Sequence, residues 1–195
     1  MTSARGLAAL LLLLGLVAGC GDDDDATALD PTTPAVPVPE GVELTDPGSS
    51  LQVGDAATAV YEAGAERASV VTVKVEAIRR GTLDDLRGFS LSPATERSTP
   101  WYVRVVMRDV GEGQLGQAPV PVYGYDSKDT YFPPAQIEGG LDVCPSAEVP
   151  ASFGPGDTLR TCLVFFVPPK VRLEAVQLRA EEGVEPISWA IPDPR

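Results

Sequence analysis

Hydrophobic and polar residues alternate with a period of two over much of the chain. In "ASVVTVKVEAI" (68–78), Val71, Val73 and Val75 fall on one face, with Thr72, Lys74 and Glu76 on the other. "WYVRVVMRDV" (101–110) repeats the pattern, with Val103, Val105 and Met107 opposed to Arg104 and Arg108. Such alternation marks half-buried antiparallel strands. "APVPVYGYDSKDTYFPP" (118–134) holds two short aromatic runs around Asp126-Ser127-Lys128-Asp129, which predicts a hairpin, and Pro119 and Pro121 place an edge strand there. "GPGDTLRTCLVFFVPP" (154–169) opens on a turn and predicts a strand over 158–167, apolar on both faces near its end. "VRLEAVQLRA" (171–180) shifts phase at Ala175-Val176, which predicts a β-bulge. "PISWAI" (186–191) predicts a last strand with Ile187, Trp189 and Ile191 on one face. "GTLDDLRGFSL" (81–91) is the one place where a short helical turn is expected. About seven strands separated by turns predict an all-β, antiparallel β-sandwich over 56–195. Trp101 and Trp189 lie on strands, where packing is the default.

The first 55 residues follow other rules. Arg5 precedes an apolar run from Leu7 to Val17, then Ala18, Gly19 and Cys20. The run is too short to span a membrane and has the form of a secretory signal. Val17-Ala18-Gly19-Cys20 resembles the lipobox of bacterial lipoproteins. That resemblance implies a signal peptide over 1–19, diacylglycerol and palmitate-type acyl chains on Cys20, and a membrane contact made through that lipid. Acyl chains bury about 0.8 kcal/mol per methylene, so two or three chains anchor a protein stably. Localisation on the extracytoplasmic side of the cell membrane follows.

Composition sharpens the division. The chain carries 28 acidic and 15 basic residues, a formal charge of −13. Residues 20–55 hold nine acids and no Lys or Arg, several prolines and no aromatic residue. This segment is expected to be a disordered, acidic, Pro-rich linker that holds the domain off the lipid surface. Asp22 to Asp25 read as a solvated charge run, not a calcium cage. An acidic chain of this kind is not expected to bind nucleic acid, whose affinity rests on neutralising phosphates.

Beyond Cys20, only Cys144 and Cys162 remain. In an exported protein a lone pair is most simply a disulfide. A redox-active pair is the competing reading, but it lacks C-x-x-C spacing. The sequence has no histidine, so Ser-His-Asp and Cys-His catalysis cannot be assembled and the usual zinc sites are excluded. No Gly-rich phosphate loop occurs. Asp84 with Asp85, and Glu181 with Glu182, are the remaining carboxylate pairs, and solvated or turn positions account for them better than glycoside hydrolysis. No catalytic residue, metal or cofactor is expected. Tyr123, Tyr125, Tyr131 and Phe132 cluster around the predicted hairpin. Exposed, they would form a contact surface; turned together, they would pack as cross-strand pairs.

"VTVKVEAIRRGTLDDLRGF", "STPWYVRVVMRDVGEGQL" and "FGPGDTLRTCLVFFVPP" together resemble the telokin-like, immunoglobulin-like domain of secreted and lipid-anchored actinobacterial proteins of unknown function. The resemblance covers nearly all of 56–195. It implies an immunoglobulin-like β-sandwich in a cell-envelope setting, with "YVRVVMRDVG" a central strand ending in an Asn/Asp-x-Gly turn at Asp109. It implies no reaction. The function expected is a binding or interaction module of the envelope, contacting a protein or a wall polymer. A structural or accessory lipoprotein without a defined ligand is the alternative, and a carboxylate-based hydrolase comes third.

Overall fold

A computed structural model describes residues 36–64 and 66–191. The expected signal peptide, Cys20 and the linker up to residue 35 lie outside the described residues. Nine strands form two facing sheets: β1 (Ser50–Leu51), β2 (Ala56–Glu62), β3 (Ala68–Arg80), β4 (Thr99–Asp109), β5 (Val122–Asp126), β6 (Tyr131–Phe132), β7 (Thr158–Val167), β8 (Leu173–Leu178) and β9 (Ile187–Ala190). One sheet has the order β1-β9-β8-β5-β6 and the other β2-β3-β4-β7. All pairings are antiparallel except β1 with β9. The architecture is the expected immunoglobulin-like sandwich.

The alternation read from the sequence builds the core. Val71, Val73, Val75, Val103, Val105 and Met107 point inward from β3 and β4, and Phe165 joins them from β7. Val122, Val176, Leu178, Ile187 and Trp189 meet them from the other sheet. Trp189 is enclosed, and its indole N–H donates to the Asp55 carbonyl at 3.1 Å, so burial leaves no donor unpaired. β7 is buried on both faces because the 133–150 loop covers its outer side. Ala135 bridges to Val164, and Cys144 is disulfide-bonded to Cys162 with Cα atoms 5.1 Å apart.

Three expectations need correction, and one strand was not expected. The stretch 36–55 is not a free linker: Val36 is buried against Val60 and Val70, Val38 and Val42 pack beside it, and β1 extends the sheet at β9. Strand β2 went unanticipated because "AATAVYE" has small residues where alternation needs large ones, and both of its faces are partly covered. The bulge in β8 falls at Glu174, one residue before the expected place, since Tyr125 pairs with Ala175 and Asp126 with Leu173. The prolines do not mark an edge: Pro119 and Pro121 precede β5, which lies inside its sheet, and β6 is the outermost strand. The expected helical turn is present as a 3-10 turn over Leu83–Leu86, with Leu86 buried.

At the end of β4, Asp109 is wholly buried. One carboxylate oxygen, Oδ1, accepts from the Ser69 hydroxyl at 2.6 Å and from the Gly111 N–H at 3.0 Å. Thus Asp109 makes the Asp-x-Gly turn that the resemblance implies, but from inside the protein.

Candidate contact surface

The β5–β6 hairpin is templated by one side chain. Asp126 Oδ1 accepts from the N–H groups of Lys128 (2.8 Å) and Thr130 (3.2 Å), closing the turn, and Asp129 takes a left-handed φ of 57°. Asp and Asn tolerate that conformation better than most residues. The period of two then sorts the aromatic residues. Val122, Gly124 and Asp126 are buried, so Tyr123 and Tyr125 face outward. Tyr125 pairs with Tyr131 across the hairpin, which puts Tyr131 on the same outer face, 54 % exposed.

Phe132 does not belong to this surface. It pairs with Gly124 on the inner face and meets Phe165 edge-on, with ring centroids 5.9 Å apart. The one-residue offset from Tyr131 sends it to the opposite side of the sheet. Gly124 leaves room for it: a Cβ there would lie 2.8 Å from the Phe132 ring. Gly124→Ala is therefore expected to displace Phe132 and cost about 1–3 kcal/mol by overpacking, measured by urea denaturation.

The exposed rings are held in place. Tyr123 and Tyr131 contact edge-to-face, with centroids 5.9 Å apart and planes at 81°. The Arg179 guanidinium lies over the Tyr131 ring at 3.9 Å, and its Nη1 donates to Gln177 Oε1 at 2.8 Å. The Tyr125 hydroxyl donates to Asp129 Oδ1 at 2.6 Å, and this bond to a carboxylate raises the Tyr125 pKa above its ordinary value. The tyrosines pair across the hairpin, with Tyr131 exposed and Tyr123 and Tyr125 half-buried. Arg179 lies one residue past β8, whose last three residues are all buried, so no alternation in the sequence marked it.

Beside Tyr123 opens a groove of about 660 Å³ between the lead-in to β5 and the 133–150 loop. Pro119, Pro133, Pro134 and Pro150 stiffen its walls, and Cys144 and Cys162 lie at its base. Rigid walls and pinned rings reduce the ordering entropy a partner would otherwise meet.

The carboxylate candidates are used locally. Asp85 Oδ2 accepts from the Thr82 N–H at 2.8 Å and from the Tyr102 hydroxyl at 3.1 Å. The Thr82 bond comes first among the causes that hold its carboxyl below the usual range. Asp84 pairs with Arg87 at 3.0 Å. Glu181 and Glu182 are both exposed. Among the described residues, no group of three or more Cys, Asp or Glu is placed to hold a metal ion, and no helix is long and apolar enough to cross a membrane.

No family model matches the chain, and no curated protein matches it. Among solved structures it is similar to MPT63, a secreted protein from Mycobacterium tuberculosis, at 13 % identity and a TM-score of 0.49, over 73 % of this chain and 96 % of that one.

Proposed function

We propose that this protein is a lipid-anchored, extracytoplasmic binding module of the bacterial envelope, which engages a protein partner through its tyrosine face and the adjoining groove. The observation that carries the reading is the Tyr123–Tyr131–Arg179 array, with Tyr131 exposed and the other two half-buried, beside a stiff-walled groove. Tyrosine and arginine are the residue types that dominate interface hot spots. Two features support the setting. The Cys144–Cys162 disulfide is buried, and such bonds persist in oxidising compartments. The leader ending at Cys20 has the form of a lipoprotein signal.

Two measurements test the reading. The intact mass of the mature chain is expected to show acyl chains at Cys20; a bare N-terminus refutes the anchor. Crosslinking in whole cells is expected to trap a partner, with yield falling at least tenfold when Tyr123, Tyr125 and Tyr131 are all changed to Ser. Circular dichroism checks that the variant stays folded. An unchanged yield from a folded variant refutes the tyrosine face. Absence of any retained partner favours an accessory lipoprotein without a defined ligand.

A further inference from the structure

The outer face of the four-stranded sheet carries a charge pattern that the net charge conceals. Residues that alternate with the core positions of β3, β4 and β7 point to solvent, and four of them are Lys74, Arg104, Arg108 and Arg160, all exposed. Register places them around one centre. Lys74 pairs with Val106, and Val106 with Arg160, so Val106 is flanked by a cation on each neighbouring strand. Arg104 and Arg108 flank it two residues away along β4. With strands about 4.8 Å apart and about 3.3 Å of rise per residue, the four side chains root at the corners of a diamond with sides of about 8 Å.

None of the four forms an ion pair among the described residues, where the salt bridges are Arg87–Asp84 and Arg172–Glu174. Acids border the patch: Glu76, the extra residue of the β3 bulge, lies beside Ala77 and Arg104, Asp55 precedes the Ala56 that pairs with Lys74, and Asp157 precedes the Thr158 that pairs with Arg108. Arg79 lies further along but is engaged elsewhere, over the Tyr102 ring at 5.7 Å and donating to the Val143 carbonyl at 3.3 Å. A protein of charge −13 thus concentrates four cations on one flat surface. Like charges at this spacing repel, so an anion lying among them relieves a cost already present in the fold.

We propose that this face binds a linear polyanion whose repeating unit carries a phosphate, a local attraction that the overall net charge, on which the expectation against nucleic acid rested, does not register. The site lies on the sheet opposite the tyrosine face and is independent of that reading. Phosphate is chosen over carboxylate because three of the four cations are arginines, whose forks bind phosphate bidentately, and because an in-chain phosphate stays ionised well below the pH at which carboxylates protonate. A polymer is favoured over a protein because the patch is flat and charged, with half-buried Val106 in place of an aromatic anchor. A polymer is favoured over a membrane surface because the patch offers no large apolar side chain to insert. None of the exposed large apolar residues, Leu44, Leu83, Tyr131, Val143 and Val184, belongs to β3, β4 or β7.

The test uses the full chain and long-chain inorganic polyphosphate as the probe. Binding is expected to weaken roughly 50-fold from low to physiological salt, as release of about four counterions implies. Charge reversal in Arg104→Glu/Arg108→Glu/Arg160→Glu is expected to weaken it at least tenfold. Arg172→Glu/Lys128→Glu/Arg87→Glu, with the same change in net charge away from the patch, is expected to leave it within about threefold. Equal losses in the two variants would overturn the site, as would absence of binding at low salt. Equal affinity for polyglutamate would overturn the choice of phosphate. Tighter association with phosphatidylglycerol-containing vesicles than with phosphatidylcholine vesicles, lost on charge reversal and stronger than polymer binding, would reassign the face to lipid. The Tyr123, Tyr125 and Tyr131 variant is expected to bind polyphosphate unchanged, which keeps failure of one surface distinct from failure of the other.

Discussion

Ser69→Ala is expected to destabilise the domain by about 3 kcal/mol at neutral pH, the cost of losing a buried hydrogen bond to a charged group together with a second bond. The Ser69 hydroxyl donates to Asp109 Oδ1 at 2.6 Å and accepts from the Gly113 N–H at 3.2 Å. The other carboxylate oxygen, Oδ2, is buried and has no hydrogen-bond partner. Two glycines let the following turn close over this group: a Cβ on Gly111 would lie 2.5 Å from the Val70 nitrogen, and one on Gly113 would collide with the Ala68 carbonyl. Burial pushes the Asp109 pKa up; the bonds from Ser69 and Gly111 oppose that rise, and nearby Asp157 adds to it.

The sign of the pH effect follows. A carboxyl whose folded pKa is raised binds more protons in the folded state than in the unfolded one. Its contribution to stability is therefore greatest at low pH and is lost as pH rises from the unfolded value, 3.8, through the folded value. Ser69 supports the charged form selectively, so its removal raises the folded pKa further. The penalty of Ser69→Ala should be larger at pH 7 than near pH 4, and Asp109→Asn should remove that difference. Urea denaturation at the two pH values checks this, and a penalty independent of pH would show that Asp109 is not the titrating group.

Removing the disulfide with Cys144→Ala/Cys162→Ala is expected to cost about 3 kcal/mol, the chain-entropy value for a loop of this size. The two cysteines are 18 residues apart. The melting temperature should fall by roughly 10 °C. Both sulfurs belong to a small cluster with Leu86, Tyr102, Leu141 and Val164 on the outer side of β4 and β7. The bond clamps the loop that forms one wall of the groove, so the loss is local before it is global. Hydrogen exchange should quicken across 133–150 while the β2–β3 ladder keeps its protection. Capture of a partner at the tyrosine face should weaken with it. Uniform loss of protection over the whole sandwich would show that the loop is not a separate unit.

The pattern along the chain determined much of this protein by itself. Alternation in β3 and β4 set which valines face the core between the sheets, because successive side chains of a strand must point to opposite faces. The aspartate-rich turn determined the hairpin, and the two cysteines left beyond Cys20 pointed to the disulfide. Each is a local rule or a count. Tertiary structure alone decided the rest. Val36, Val38 and Val42 look like linker until the outer faces of Val60 and Val70 are there to receive them. Phe132 and Tyr131 are alike in sequence and differ only in which side of the sheet the register assigns them. Lys74, Arg104, Arg108 and Arg160 each look like an ordinary polar position, and only the pairing of three strands gathers them around Val106. Local preference acts within a few residues, whereas a surface is assembled from strands distant in the chain, whose register depends on all their partners at once.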